Sequence, residues 1–327
     1  MTTLTIHRLQ NKQGTSLELL NYGATLYRVL TKDKNGELRN IILSLSSPEA
    51  YLTQKTYLSA SIGRVAGRTS QGVWGAHQLE RNEGLNHLHG GTIGFESRYF
   101  SAQPFKTENS QGVTFSYDSP DGENGYPGNL HAEICYTLYE DNHFTIEYTG
   151  ETDATTLFNP TNHAYFNLSG ETTIAQHVLS VKSTAYLPIN AENLPSGSIH
   201  SVTDTGFDLQ SPAPLSEILT KPDIKADNGL NHPFMLEEKA TQIHLASSKS
   251  GIDLQIGTTY PCAVLYTGSH FNNDFQLDNG HAVSPYAGIA FETQFPPDAI
   301  HHPAFGDIQL HPGEKFHAKT SYQLGIF

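Results

Sequence analysis

Apolar and polar residues alternate with a period of two along most of the chain, the mark of strands half-buried in a sheet. In the first third, Leu17 and Leu19, the stretch from Leu26 to Leu30, and then Ile41, Leu43 and Leu45 predict strands. Lys34-Asn35-Gly36-Glu37 separates the Tyr27 to Leu30 run from the Ile41 to Leu45 run. Asn-Gly accepts the positive φ angles of a type I′ turn, so a hairpin is predicted there. Further on, Val113 to Tyr117, Ile134 to Tyr139 and Phe144 to Tyr148 read as an antiparallel meander, with Asp141-Asn142 turning between the last two. Helical periodicity is scarce. Pro48 to Leu52 and Pro214 to Leu219 are short candidates, each with a serine ahead of it in a capping region, and neither is long enough to cover a sheet. No long Pro/Gly/Ser linker, charge block or repeat interrupts the strands. The pattern predicts a single all-β domain over residues 1–327, built of two packed antiparallel sheets whose loops or concave face carry the site.

Composition strengthens this picture. Hydrophobic residues make up 37% and aromatics 10%, with 16 Tyr and 16 Phe, enough for a large core of strand-favouring side chains. Lys and Arg total 19 against 33 Asp and Glu, a formal charge of −14 that repels phosphate backbones and anionic lipid. Nucleic acid and membrane surfaces are therefore set aside as partners, and an unphosphorylated small molecule is favoured. Cys135 and Cys262 each sit in an apolar or aromatic run and are expected to be buried thiols rather than a disulfide framework. Residues 1–9 lack a basic region followed by an apolar stretch, and no segment approaches the roughly 20 apolar residues that span a bilayer, so a soluble cytoplasmic protein is expected.

The 17 histidines are unevenly placed. Two lie in segments that look built for a site, Asn86-His87-Leu88-His89-Gly90-Gly91 and Thr161-Asn162-His163-Ala164-Tyr165-Phe166-Asn167, and a third cluster is His301-His302. Any single His is more often structural than catalytic. His87-x-His89 on a strand would put two imidazoles on one face, as metal sites need. The next acid, Glu96, lies beyond Gly90-Gly91, and neither Cys adjoins a His-rich stretch, so no metal is expected. Glu292 sits in the apolar run Ala290-Phe291-Glu292-Thr293-Gln294-Phe295, closed by Pro296-Pro297. Local pattern alone fits an inward carboxylate, costly to bury unpaired, and an exposed strand position equally well.

Six segments together resemble the aldose 1-epimerase family. They are Asn21-Tyr22-Gly23-Ala24, Ile62-Gly63-Arg64-Val65-Ala66-Gly67-Arg68, His87-Leu88-His89-Gly90-Gly91, the run from Asp121 to Leu130, Thr161 to Leu168, and Phe291-Glu292-Thr293-Gln294 with Pro297-Asp298-Ala299. They follow the family's order from about residue 20 to the end. The resemblance implies a large antiparallel β-sandwich of the galactose mutarotase-like supersandwich type, with few short helices and an open sugar cleft. It implies His163 as general acid and Glu292 as general base, Arg68 and His89 as substrate-positioning groups, Arg64 in a structural position, a free sugar as substrate and no cofactor. Opening a pyranose requires taking the anomeric hydroxyl proton while protonating the ring oxygen, so a base and an acid must coexist at one pH. Glu, with a reference pKa of about 4.3, and His, at about 6.5, suit that division.

Three positions depart from the family's pattern. Asn231, in Gly229-Leu230-Asn231-His232-Pro233-Phe234, stands where an Asp commonly contacts sugar hydroxyls; an amide can still bind hydroxyls, without the charge. Val264 replaces a common Gln, and Gly67 an Asn. These bear on substrate choice rather than on reaction type. Sugar C–H faces rest well on aromatic rings, and Trp74, Tyr165 and Tyr266 are candidate contacts, although core aromatics are at least as common. The competing enzyme readings are a disaccharide epimerase acting on maltose and a hexose-6-phosphate epimerase, which would need extra basic residues near His89 and His163. A non-catalytic sugar sensor is the alternative of another class, and it has no need of an acid opposite a base.

Overall fold

The computed structural model describes residues 3–53 and 56–327. Among them, nine antiparallel strands form the larger sheet, in the order Ser101–Lys106, Ser110–Ser119, Leu130–Tyr139, His143–Thr152, Phe316–Ile326, Ile252–Thr258, Ile243–Ser247, Val178–Val181 and Ala213–Pro214. The predicted meander is its centre, with Leu138 opposite Phe144 across a turn in which Asn142 takes φ 65°. A second, six-stranded sheet runs Tyr165–Phe166, Ile289–Gln294, Cys262–Tyr266, Asn231–Leu236, Ser183–Tyr186 and His200–Ser201. The first third forms a four-stranded sheet from Ile6–Gln10 to Leu38–Asn40. Strands of two to eleven residues, two α-helices of one turn each and a few 3₁₀ turns make this an all-β sandwich.

Alternation decides what each sheet buries. Along Leu130–Tyr139, Ala132, Ile134 and Tyr136 face inward and join Val113, Phe115, Phe144, Ile146 and Tyr148 in one hydrophobic cluster. Phe166, Phe234, Ala263, Leu265, Ile289 and Phe291 of the six-stranded sheet enter the same cluster, as do Leu17, Leu19 and Leu26. Three sheets thus share one core, the two larger ones packed as in a sandwich. The parity that turns Ile134 and Tyr136 in turns Cys135 out. Cys135 is therefore only half-buried, contrary to expectation, whereas Cys262 is buried; both thiols are free.

Two local predictions need correction. The hairpin exists, but its second strand is Leu38–Asn40, and Ile41 to Leu45 leave the sheet after it. Its turn is wider than type I′: Gly36 takes φ 81° and Asn35 has no positive φ. The Asp33 carboxylate organises it by accepting from the amides of Asn35 (2.8 Å) and Glu37 (3.0 Å). Ser47 does cap the 3₁₀ turn Pro48–Leu52, accepting from the Ala50 amide, but the helix Leu215–Ile218 follows Pro214 with no side-chain cap. Among the described residues, no helix is long and apolar enough to cross a membrane.

Three buried histidines are held neutral by their neighbours. His177 Nε2 accepts from the Leu168 amide, so its proton lies on Nδ1, toward the Ile174 carbonyl. His232 Nδ1 accepts from the Asn231 amide, leaving Nε2–H for Asp227. His87 Nδ1–H donates to the Glu80 carbonyl, and Nε2 accepts from the Tyr126 hydroxyl. Burial lowers all three pKa values, those of His177 and His232 to about 4. The unfolded chain takes up protons on these groups at about pH 6.5 and the folded chain does not, so the stability they confer is complete above pH 6.5 and lost as pH falls toward 4. The urea midpoint for unfolding is expected to be lower at pH 5 than at pH 7; equal midpoints would contradict this.

Candidate active site

The strand Ile289–Gln294 is buried on both faces. Ile289 and Phe291 enter the core, so Ala290, Glu292 and Gln294 project from the opposite side. The neighbouring strands obey the same parity, and Val264, Tyr266, Asn231, Pro233 and Tyr165 lie on that side too. Register lines them up: Pro233, Val264 and Glu292 form one row, and Asn231, Tyr266, Ala290 and Tyr165 the next. This outer face is the floor of a cleft of about 260 Å³.

Loops supply the facing wall. Thr161–Asn162 pairs with Ser61–Ile62, and the backbone of His163 is clamped by its amide on the Ala60 carbonyl (3.0 Å) and its carbonyl on the Ser59 amide (2.9 Å). His163 Nε2 lies 3.4 Å from Glu292 Oε1, with both side chains 5% exposed. Nδ1 of His163 is buried without a protein hydrogen-bond partner among the described residues. Burial pushes the Glu292 carboxyl above the usual range, and His163 and Arg68 offset part of that rise.

His89 follows the short strand His87–Leu88 with φ 51°, and this left-handed residue breaks the alternation that would have put both imidazoles on one face. His87 consequently turns to Tyr126 while His89 enters the cleft. His89 exchanges hydrogen bonds with Gly67: its amide donates to the Gly67 carbonyl (3.0 Å), and its Nδ1 accepts from the Gly67 amide (3.1 Å). An amide can only donate, so the His89 proton sits on Nε2. Burial, followed by His163 and Arg68, holds His89 far below its ordinary pKa, neutral. Ligand atoms of His89, His163 and Glu292 lie within 4.8 Å of one another, a spacing that suggests a metal. The tautomer argues otherwise, because a metal-bound His keeps its proton on the nitrogen away from the ion, and the backbone has taken that nitrogen of His89. The donor set does not fit a metal.

Arg68 Nε and Nη2 make a two-pronged contact with Glu83 at 2.5 and 2.7 Å, so the charge of this cleft arginine is countered. Arg64 turns away from the cleft. It is buried and donates to Ser119, Thr156 and the carbonyls of Pro120, Pro127 and Gly128, tying three loops together. Tyr165, Tyr266 and Asn231 line the cleft. Trp74 does not; it stacks on His77 and packs against a small hydrophobic cluster that includes Val65 and Leu79, because its short strand pairs back on His77–Gln78. His301 is held by Asp298 (2.7 Å) outside the cleft. Residues passed over in the sequence also line it, among them Tyr57, Asn193, His270 and Ile189. Tyr57 lies against His89 and His163, with ring centroids 4.8 and 6.4 Å away.

Known proteins resemble the chain over nearly its whole length. A family model described as aldose 1-epimerase matches residues 5–323. The chain belongs to the aldose 1-epimerase family. It is 33% identical to galactose mutarotase of Bos taurus over 95% of this chain and 91% of that protein. It is 34% identical to aldose 1-epimerase of Escherichia coli (strain K12) over 97% and 94%. The crystal structure of a galactose 1-epimerase from Lactobacillus acidophilus NCFM superposes with a TM-score of 0.90 at 36% identity, covering 99% of this chain and 95% of that one. An aldose epimerase homologue from C. elegans gives a TM-score of 0.91 at 28% identity, with 99% of both chains covered.

Gly67 explains one departure from the family's pattern. It takes φ 75°, and an added Cβ would lie 2.9 Å from Pro297. A side chain there must push on Pro297 and on the Gln294 side-chain amide.

A carboxyl whose pKa rises on folding confers stability below its unfolded pKa that is lost as pH rises through the folded value. At pH 7 an ionised Glu292 therefore costs stability. Glu292→Gln is expected to raise Tm at pH 7 by about 2 °C or more, with the gain vanishing below pH 4. A variant that melts below wild type at pH 7 would show that the carboxylate is better solvated than its burial indicates.

Proposed function

We propose that the cleft interchanges the α and β anomers of a free aldose by opening its pyranose ring and reclosing it. The observation that carries the reading is the buried contact between His163 and Glu292, an imidazole facing a carboxylate whose pKa is raised, on a surface lined by groups that suit hydroxyls.

In the reaction, the sugar's O5–C1–O1 unit lies alongside the two groups, with O1 toward Glu292 and O5 toward His163. Glu292, as the carboxylate, takes the proton of the C1 hydroxyl while His163 delivers the Nε2 proton to the ring oxygen. The C1–O5 bond breaks and the open aldehyde forms, with Glu292 now protonated and His163 neutral. Rotation about C1–C2 presents the other carbonyl face. The C5 hydroxyl then attacks C1, His163 recovers its proton from that hydroxyl, and Glu292 returns its own to the carbonyl oxygen. Proton count and enzyme are unchanged at the end, and the residues of the chain suffice for every step. His89 donates from Nε2 to a hydroxyl, Arg68 and Asn231 hold others, and Tyr165 and Tyr266 rest against the ring's C–H face.

Galactose is the first substrate to test, since that sugar appears in the names of the mutarotase and 1-epimerase relatives. A phosphorylated hexose is disfavoured, because among the described lining residues Arg68 is the one Arg or Lys side chain, and it is paired with Glu83. We also read the chain as one folding unit, on the support of the hydrophobic cluster that all three large sheets share.

Polarimetry of freshly dissolved α-galactose is expected to show relaxation faster than buffer. Glu292→Gln and His163→Asn should each lose about 10²- to 10⁴-fold in kcat/KM while remaining folded. Retained activity in either variant would remove that residue from proton transfer. The base must be ionised, so activity is lost as pH falls through the raised Glu292 value. The acid limb of kcat/KM should thus lie above the ordinary Glu value of about 4.3, and a limb at or below it would contradict the assignment.

A further inference from the structure

Residues 189–195 form a compact loop along one side of the cleft, with Ile189 bridged to Pro195. Asn190 organises it. Its Oδ1 accepts from the amides of Glu192 (2.8 Å) and Leu194 (3.1 Å), and its carbonyl accepts from the Asn193 amide (2.9 Å). Asn193 takes φ 57°.

Two side chains leave this loop in different directions. Glu192 Oε2 accepts from Asn86 Nδ2 at 3.0 Å. Asn86 exchanges backbone hydrogen bonds with Glu83, the partner of Arg68, so this anchor reaches the wall that carries Arg68 and His89. Asn193 Oδ1 accepts from Asn231 Nδ2 at 3.1 Å, which anchors the loop to the sheet floor. The loop therefore spans from one side of the cleft to the other.

The second anchor has a chemical consequence. A free Asn amide turns over readily, presenting either its oxygen or its NH₂ group to a ligand. Asn231 is not free: one N–H is committed to Asn193, which fixes the amide plane, and Oδ1 has no partner among the described residues. On the opposite wall, Arg68 and the Nε2–H of His89 are donors. A hydroxyl can donate and accept at once, so a sugar spanning the cleft needs an acceptor where Asn231 stands.

We propose that Asn193 is a positioning residue for substrate selection, holding the Asn231 amide so that Oδ1 accepts from a sugar hydroxyl. The inference rests on the anomer-exchange reading for its substrate class and acts on binding rather than on proton transfer. Without Asn193, Asn231 spends part of its time with the wrong group toward the hydroxyl, and affinity falls. The reacting C1–O5 unit keeps Glu292 and His163, so kcat does not follow.

The test uses Asn193→Gly, which suits the positive φ and removes the acceptor, and Asn193→Asp, which suits it and keeps an oxygen there. KM and kcat for galactose and glucose are measured by polarimetry, and Kd for the same sugars by calorimetry. For the better substrate, Asn193→Gly is expected to raise both KM and Kd on the order of 3- to 10-fold, the size of one hydrogen bond, with kcat held within about twofold. Asn193→Asp should stay near wild type. In an Asn231→Ala background, Asn193→Gly should add nothing. The proposal is overturned if Asn193→Gly leaves Kd unchanged, lowers kcat instead of affinity, adds its full effect without Asn231, or is matched by Asn193→Asp. A wild type that binds sugar without accelerating anomer exchange fails the catalytic reading alone, and the Kd series still decides the role of Asn193. A wild type that binds neither sugar overturns both.

Discussion

Water keeps most carboxylates charged, and Glu292 has almost none. It stands on a strand packed on both faces, so its ionised form depends on the few charges that face it. The sheet makes this arrangement possible. Period-2 geometry gives one face of the six-stranded sheet to the core and the other to the cleft, so the rigidity of the core is passed to Glu292, Val264, Asn231 and Tyr165 through the backbone. The loops opposite need only bring His163, His89 and Arg68 to that face. They do so through backbone contacts, the Ser59–Ala60 clamp on His163 and the Gly67 exchange with His89, which leave little freedom in where the rings point. A base that holds a proton more tightly than an exposed Glu, set against an imidazole 3.4 Å away, is a pair suited to passing protons near neutral pH.

Much of this was legible in the chain. Alternation locates the meander strands, whereas the apolar run from Ala290 to Phe295 leaves the face of its single acid open, and the resemblance to the family is what singles out Glu292. Parity against Phe291 and Ile289 settles the acid's face once the core side is known. What escaped the sequence escaped for physical reasons. The His87–His89 pair looked like one face of a strand, but the positive φ at His89 ends the alternation within one residue, and nothing in Leu-His-Gly-Gly announces it. An indole suits the C–H face of a sugar, yet the short hairpin of Trp74 keeps it beside His77. Tyr57 and Asn193 lie in loops without periodicity, each with positive φ, and no pattern of period two or 3.6 can report on such positions. The Asn-Gly turn misled in a different way: a carboxylate two residues upstream, Asp33, sets the turn geometry there.

The departures from the family's pattern acquire local causes. Gly67 needs its φ and its closeness to Pro297 in order to hold His89. Val264 sits directly opposite Glu292 in register, where an apolar side chain adds to the desolvation of the carboxylate. Asn231, uncharged, is held by a second amide. Together these leave a cleft in which ionised groups are few and paired, consistent with a neutral sugar as ligand in a chain of net charge −14.

The central claim is that Glu292 and His163 open the ring at C1–O5 and leave the C1–O1 bond intact. The direct measurement follows galactose labelled with oxygen-18 at O1 at anomeric equilibrium, with α/β exchange read by NMR and label loss by the isotope shift at C1. Ring opening predicts that the protein accelerates anomer exchange in proportion to its concentration, while label is lost no faster than hydration of the open aldehyde allows. Loss of label in step with each anomer exchange would mean that water replaces O1 at C1, and would contradict the assignment of the two residues.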